Sequence, residues 1–177
     1  MTLSDRIKNE LRDVHDFPRK GIVFKDITPL LANHLIRREI VEQIAAHLRP
    51  LRPDGLAAVE ARGFIFGILI ADELGIPFIP VRKSGKLPFK KVTEAYELEY
   101  GQAIIEMHED AFEKGSRIII HDDLLATGGT ASATGRMVRQ LGGEVAGYSF
   151  LINLSFLSGE KNLQTQFDVQ PHYLVSF

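Results

Sequence analysis

Two adjacent carboxylates, Asp122 and Asp123, stand just ahead of a run of small and hydroxyl-bearing residues, Ala126 to Thr130, in the stretch IIIHDDLLATGGTASA at 118–133. Arg117 to Ile120 reads as a strand, which puts both acids at its carboxyl edge, and the ATGGT segment then turns the chain into a helix starting near Thr130. Gly128 and Gly129 permit positive φ and close approach of the backbone. Successive amides at the positive end of a helix form a nest for a phosphate, and Thr127 and Thr130 can add hydroxyl donors. The loop has no lysine and matches neither GxxxxGK[ST] nor GxGxxG, which disfavours a nucleoside triphosphatase. Two carboxylates beside a phosphate would repel it, so they must face another part of the ligand. Vicinal ribose hydroxyls fit, because ionised carboxylates accept from both and also stabilise a cation forming at the neighbouring anomeric carbon. The chemistry indicated is the binding of a ribose 5-phosphate with a reactive carbon.

Other segments carry groups suited to anions and to a planar base. EARGF at 60–64 follows a strand and opens a helix; Arg62 can chelate anionic oxygens bidentately and Gly63 lets the backbone come close. RKSGKLPFKK at 82–91 has five basic residues and no acid; Lys90 and Lys91 read as solvated, whereas Arg82, Lys83 and Lys86 are candidates for an anion. In GIVFKDI, Phe24 could stack on a ring and the backbone of Val23 could read its edge, and Pro18 and Gly21 favour an ordered loop there over a helix core. The histidines at 15, 34, 47, 108, 121 and 172 show no metal-ligand spacing. His121, next to the acidic pair, is expected to alter local titration.

These residues need a scaffold. Thr2 with Asp5 resembles a capping box, and Leu3, Ile7 and Leu11 recur at helical spacing, so residues 3–14 read as an amphipathic helix. DFPRKGIVFKDITPLL at 16–31 is a structured loop. Ile36 to Leu48 marks a second helix, GLAAVE a buried strand, GFIFGILIADELG a helix closed by Gly75, and PFIPVR another strand. Residues 84–101 break the alternation and read as a long mobile hairpin or flap. QAIIEMHED, RIIIHDD, VAGYSFLINL and HYLVSF are strands, with a helix at 130–141 ended by Gly142 and Gly143. Strands separated by helices predict an α/β fold, a mostly parallel twisted sheet with helices on both faces, and ligands in such a sheet sit beyond the strands' carboxyl ends. A single domain over 1–177 is expected.

Composition excludes several classes. There are 21 basic and 23 acidic side chains, so no global field favours nucleic acid or an anionic membrane. No cysteine occurs, which removes disulfides, thiolate metal sites and a cysteine nucleophile. No segment approaches the ~20 apolar residues of a membrane span, and the N-terminus lacks the apolar run of a secretory signal. A soluble, cytoplasmic protein is expected.

The order IIIHDDLLATGGT resembles the signature of type I phosphoribosyltransferases, which bind 5-phospho-α-D-ribose 1-diphosphate (PRPP) and replace its diphosphate with a base. Residues 16–31, EARGF, RKSGKLP and YELEYG are similar, in that order, to the base-binding segment, diphosphate loop and flap of the adenine-directed members, and the likeness spans roughly residues 16–163. It implies a small hood over the sheet, 5-phosphate on Ala126, Thr127, Gly128, Gly129 and Thr130, and ribose hydroxyls on Asp122 and Asp123. It further implies diphosphate near Arg62, Gly63, Arg82, Lys83 and Lys86, and adenine against Val23, Phe24, Lys25 and Leu154. Glu99 would serve proton transfer near N7 of the base, and Tyr100 would lie over the reacting centre. The resemblance also implies Mg²⁺ held mainly by substrate, a non-proline cis peptide in the diphosphate loop, a homodimer, and AMP and diphosphate as products of purine salvage. The chain departs from the family at Lys25, where arginine is usual, at His121, where an apolar residue is usual, and at Asn153, where glutamate is usual. Two rivals are a xanthine- or guanine-directed transferase, which needs groups recognising a 6-oxo purine, and a non-catalytic PRPP sensor, which would dispense with the basic and Glu/Tyr flap.

Overall fold

A computed structural model of the chain describes residues 1–97 and 101–177. Helix α1 (Leu3–Glu10) opens with the expected capping box: Thr2 Oγ1 accepts from the Asp5 amide at 3.1 Å, and the Asp5 carboxylate accepts from the Thr2 amide at 2.9 Å. The helix ends four residues earlier than its apolar spacing predicts. Residues Arg12–His15 (β1) instead pair antiparallel with Val23–Asp26 (β2), a tertiary ladder that overrides the local period. This hairpin and helix α2 (Thr28–Ala32) form the hood, so the expected loop at 16–31 contains a strand and a helical turn.

Helix α3 (His34–Leu48) is capped by Asn33 and is followed by β3 (Gly55–Val59), α4 (Arg62–Leu74) and β4 (Phe78–Lys83). Next come β5 (Lys91–Glu97), β6 (Gln102–His108), β7 (Arg117–Leu125), α5 (Gly129–Gln140), β8 (Glu144–Asn153), α6 (Gly159–Phe167) and β9 (His172–Ser176). The main sheet has the order β5-β6-β4-β3-β7-β8-β9. Strands β4, β3, β7, β8 and β9 run parallel, and β6 and β5 add an antiparallel edge. Part of the expected flap, Lys91 to Glu97, is therefore an edge strand in register with β6.

Alternate residues of the central strands feed two cores. Leu56, Ala58 and Ile119 pack with α1, α3 and α4, whereas Ala57, Ile118 and Ile120 pack with α5 and α6. Burial on both faces explains the continuous apolar runs of β3 and β7, and each fully buried isoleucine stabilises the fold by roughly 1.5–3 kcal/mol. Helix α6 goes unread in the sequence because its buried side chains reduce to Leu163 and Phe167, too few for a periodic signal.

His121 stands among these apolar residues. It is fully buried on β7, its Nδ1 3.4 Å from Ser149 Oγ and its ring facing Gly67 of α4. Burial pushes its pKa down to about 3, so its titration is set by desolvation and not by the neighbouring acids. The unfolded chain binds the proton near 6.5, so the unfolded state holds more protons between those values. The stability this residue contributes is complete above the unfolded pKa and is lost as pH falls towards about 3. Replacing His121 with Leu is expected to flatten the acid limb of stability, by up to ~1.4 kcal/mol per pH unit below 6.5. Urea midpoints measured from pH 7 to pH 5 check this, and parallel profiles for the two proteins would contradict it.

Candidate active site

The crevice that holds the opening motif is made by chain reversal. Strand β3 continues through α4 to β4 on one side, and its neighbour β7 continues through α5 to β8 on the other. Their divergence is the switch point of an open α/β sheet. Strand β3 last pairs at Ala58↔His121, whereas β7 stays paired with β8 as far as Leu125↔Asn153. Asp122 and Asp123 thus lie inside β7, not at its edge as the sequence suggested, beyond the point where β3 has turned away; Asp122 is half-buried and Asp123 buried.

Helix α4 meets the pair head-on. Arg62 Nε lies 3.0 Å from Asp123 Oδ2, and a Cβ on Gly63 would come within 2.9 Å of Asp122 Oδ1. The buried Gly63 therefore makes room for Asp122. Asp122 Oδ1 accepts the Asp123 amide at 2.8 Å. Burial, and then the charge of Asp123, raise the Asp122 pKa well above the ordinary carboxyl value; burial also raises that of Asp123, opposed chiefly by Arg62. A ligand that donates hydrogen bonds to these oxygens restores the ionised form. The guanidinium of Arg62 also stacks 4.7 Å from the Phe24 ring centroid, and its buried Nη1 has no hydrogen-bond partner among the described residues.

Beyond β7, Gly128 has φ +80 and helix α5 starts at Gly129 with no side-chain cap. The first amides of a helix have no acceptor within it, and here no side chain takes that place. Helix α6 supports the loop from behind: a Cβ on Gly159 would meet the Ala126 carbonyl at 2.2 Å, and Asn162 Nδ2 donates to the Thr127 carbonyl at 2.9 Å. Thr127 is exposed and Thr130 half-buried. Sequence reasoning misses Gly159 and Asn162 because nothing local announces a contact made across more than thirty residues.

The basic candidates converge on an acid that the sequence reading passed over. Glu60 takes Arg82 through Nη2 at 3.1 Å and Nε at 3.4 Å, Lys86 Nζ at 3.4 Å and the Lys83 amide at 3.2 Å. The Arg82 bonds hold its carboxyl below the usual range. A lone glutamate ahead of Arg62, opposite an acid-free basic run, was the available signal. The Glu60–Ala61 peptide is cis. Lys91, expected as solvated, is instead half-buried and paired with Glu106 at 3.3 Å.

Under the hood lies an apolar pocket of about 760 Å³, lined among others by Val23, Lys25, Leu154, Phe156 and Phe177, with Thr127 at its border with the ATGGT loop. Lys25 Nζ is 2.7 Å from Asp13 Oδ1 and 4.0 Å from the Phe177 ring centroid. Phe24 points the other way, edge-on to Phe17 and towards Arg62. Glu99 and Tyr100 lie outside the described residues.

An acidic pair and an uncapped helix start at this switch point, with cations on one side and an apolar pocket on the other, match the layout expected of a phosphoribosyl transferase. The phosphoribosyl transferase domain model matches residues 26–169, and the chain belongs to that family. Its relatives include the adenine phosphoribosyltransferase of Cytophaga hutchinsonii, 55% identical over 91% of this chain and 89% of that protein. The crystal structure of the Thermoanaerobacter pseudethanolicus adenine phosphoribosyltransferase superposes with a TM-score of 0.95 at 46% identity, covering 99% of this chain and 100% of that one. The Saccharomyces cerevisiae adenine phosphoribosyltransferase, solved with an imino-altritol bisphosphate and adenine, gives 0.90 at 35% identity over 97% and 98% of the two chains.

The raised pKa of Asp122 means that its ionisation costs the unliganded fold stability, which is lost as pH rises through the folded value. Asp122→Asn keeps an acceptor for the Asp123 amide and removes the charge. The variant is expected to melt above the parent at neutral pH, by a margin larger than that at pH 4, near the ordinary carboxyl value, while turnover falls on the order of 10²-fold. Scanning calorimetry from pH 4 to pH 8 checks it; a lower melting temperature at pH 8 would contradict it.

Proposed function

We propose that the protein transfers the 5-phosphoribosyl group of PRPP to N9 of adenine, giving AMP and diphosphate in purine salvage. The observation that carries this is the Asp122–Asp123 pair set between two helix starts without side-chain caps, α4 and α5, with an apolar pocket of about 760 Å³ bordering the ATGGT loop. High identity to adenine phosphoribosyltransferases supports the choice of base.

On this reading the 5-phosphate rests on the amides of Ala126 to Thr130, at the positive end of α5. The ribose hydroxyls donate to Asp122 and Asp123, taking over from Arg62 on Asp123. Arg62, through its free Nη1, turns to the diphosphate with Gly63, Arg82, Lys83 and Lys86, whose charges favour its departure. Adenine stacks on the Phe24 face that Arg62 leaves, with the backbone of Val23 at its edge, whereas Lys25 and Leu154 line the pocket on the opposite side of β2. Bond cleavage runs ahead of attack, so the sugar becomes oxocarbenium-like and the acidic pair stabilises it. Positioning and charge do the work, with no protein nucleophile. Glu99 exchanges the proton at N7 of the base and Tyr100 covers the reacting carbon, roles that follow from family resemblance, as does exclusion of water from the reacting centre.

Among the described residues, no group of three or more histidine, cysteine or carboxylate side chains gathers for a metal. Mg²⁺ would be held mainly by substrate oxygens and waters, as is usual for this ion, and needs no dedicated cage of protein ligands. When bound, it supplies neutralising charge to the leaving group. The chain acts as one domain and as a homodimer, a reading supported by exposed Ile65, Ile68 and Leu69 along one side of α4. We assign it to the cytoplasm, where PRPP and free purines meet; no helix among the described residues is long and apolar enough to cross a membrane.

Single-turnover assays with PRPP, Mg²⁺ and each purine test the base. Adenine should react at least about 10²-fold faster than hypoxanthine, guanine or xanthine, since sites that hydrogen-bond a ring edge reject mismatched edges strongly; a faster 6-oxo purine would overturn the assignment. Glu99→Gln should lower turnover on the order of 10²-fold while PRPP binding holds. Unchanged turnover would remove Glu99 from the mechanism.

A further inference from the structure

Strand β4 pairs with β6 through only two residues, Arg82↔Glu106 and Lys83↔Ile105, and the chain leaves the sheet after Ser84, whose amide still donates to the Ile104 carbonyl at 2.9 Å. The amides that follow have lost a partner strand, and a buried side chain takes its place. Glu106 is 2% exposed. Its Oε1 accepts from the Gly85 amide at 2.9 Å and from Ser84 Oγ at 3.1 Å. Its Oε2 accepts from the Leu87 amide at 3.3 Å and lies 3.3 Å from Lys91 Nζ. Lys91 in turn donates to the Leu87 carbonyl at 2.8 Å. Gly85 takes φ +83, which lets its amide turn inward to the carboxylate. These contacts, led by the Gly85 amide, hold the carboxyl below its usual range, so it is ionised at neutral pH.

One carboxylate thus ties down both flanks of Lys86, which projects from the turn with its side chain mostly in solvent. The turn is anchored a second time on its outer side, where Arg82 Nη1 donates to the Lys86 carbonyl at 2.7 Å. Four donors on one buried acid are more than chain reversal needs, and each is lost or misdirected if the charge is removed. Glutamine in its place would set an NH₂ against the Leu87 amide and Lys91, donor against donor.

We infer that Glu106 is a positioning residue for diphosphate: it touches no substrate, and its carboxylate fixes the 84–87 turn so that Lys83 and Lys86 meet the leaving group. The inference rests on the proposed PRPP reaction. It assigns to a buried strand residue, remote from the Asp-Asp and ATGGT motifs, control over one half of the substrate and not the other.

AMP and diphosphate separate the two halves. Calorimetry with Mg²⁺ on Glu106→Gln should show dissociation constants for PRPP and for diphosphate raised about tenfold or more, the scale of one hydrogen bond to a charged group. Affinity for AMP, which lacks the diphosphate, should stay within about twofold. Equal weakening of AMP would make Glu106 a general structural residue, and unchanged PRPP and diphosphate binding would remove it from the site; either result overturns the inference. If Glu106→Gln does not fold, Ser84→Ala deletes one exposed donor to the same carboxylate and should weaken PRPP and diphosphate about twofold or more with AMP unaffected, while a uniform or absent effect counts against the inference. Parent protein that binds PRPP and diphosphate without converting adenine would refute the transferase reading alone and leave the Glu106 contrast readable.

Discussion

Two carboxylates on consecutive residues of a buried strand are the constraint on which the site depends. Burial raises the cost of charge on Asp122 and Asp123, and the charge of Asp123 makes the ionisation of Asp122 harder still. The fold keeps the pair in place by large apolar burial on both sides of β7, and one cation, Arg62, moderates it. A core of this size can absorb a few kcal/mol of local penalty, because the margin it leaves is of the order of 5–15 kcal/mol. What is unfavourable in the empty crevice becomes a source of affinity for any ligand that brings hydroxyl donors or positive charge.

The same logic runs through the cations. Arg82 and Lys86 meet Glu60, and Lys91 meets Glu106. Glu60 is positioned so that its attractions compete with an incoming anion, whereas Glu106 lies deeper and acts on backbone amides and a turn. The first kind of pairing holds charged side chains close together without a ligand, at the cost of exchange on binding. The second fixes where they stand. Exposed ion pairs contribute little to stability, about 0–1 kcal/mol, so the half-exposed partners of Glu60 are better understood through placement than through folding energy.

The layers of the fold were legible because period and punctuation agree with them: the all-buried β3, the buried Ile118–Ile120 run of β7, Gly75 closing α4, and Gly142 after α5 each carry a local signal. Failures came where tertiary pairing competes with local preference. Arg12 to His15 continue a helical period yet join a hairpin, and Lys91 to Glu97, charged and outwardly loop-like, are held as an edge strand by β6. In the candidate site, Asp122, Asp123 and the ATGGT loop could be found because contiguous residues carry them. Glu60, Glu106, Gly159 and Asn162 could not, since their importance lies in what they meet from distant parts of the chain. Phe24 shows the intermediate case: strand alternation puts Val23 and Lys25 on the pocket and turns Phe24 to the opposite side, which follows only once β2 is known to be a strand.

Arg62 joins the two halves of the crevice more tightly than either motif suggests. Its Nε pairs with Asp123 while its guanidinium covers the Phe24 ring, so one side chain occupies both a seat for sugar hydroxyls and a face suited to a flat base. Displacing it from Asp123 leaves a buried carboxylate in need of new donors, a loss of several kcal/mol unless they arrive at once. Two ribose hydroxyls meet that need, and an anion within reach of the unpartnered Nη1 gives the released guanidinium somewhere to go. A base alone supplies neither. On the proposed reading, the coupling between sugar, leaving group and base resides in the competing attachments of a single arginine.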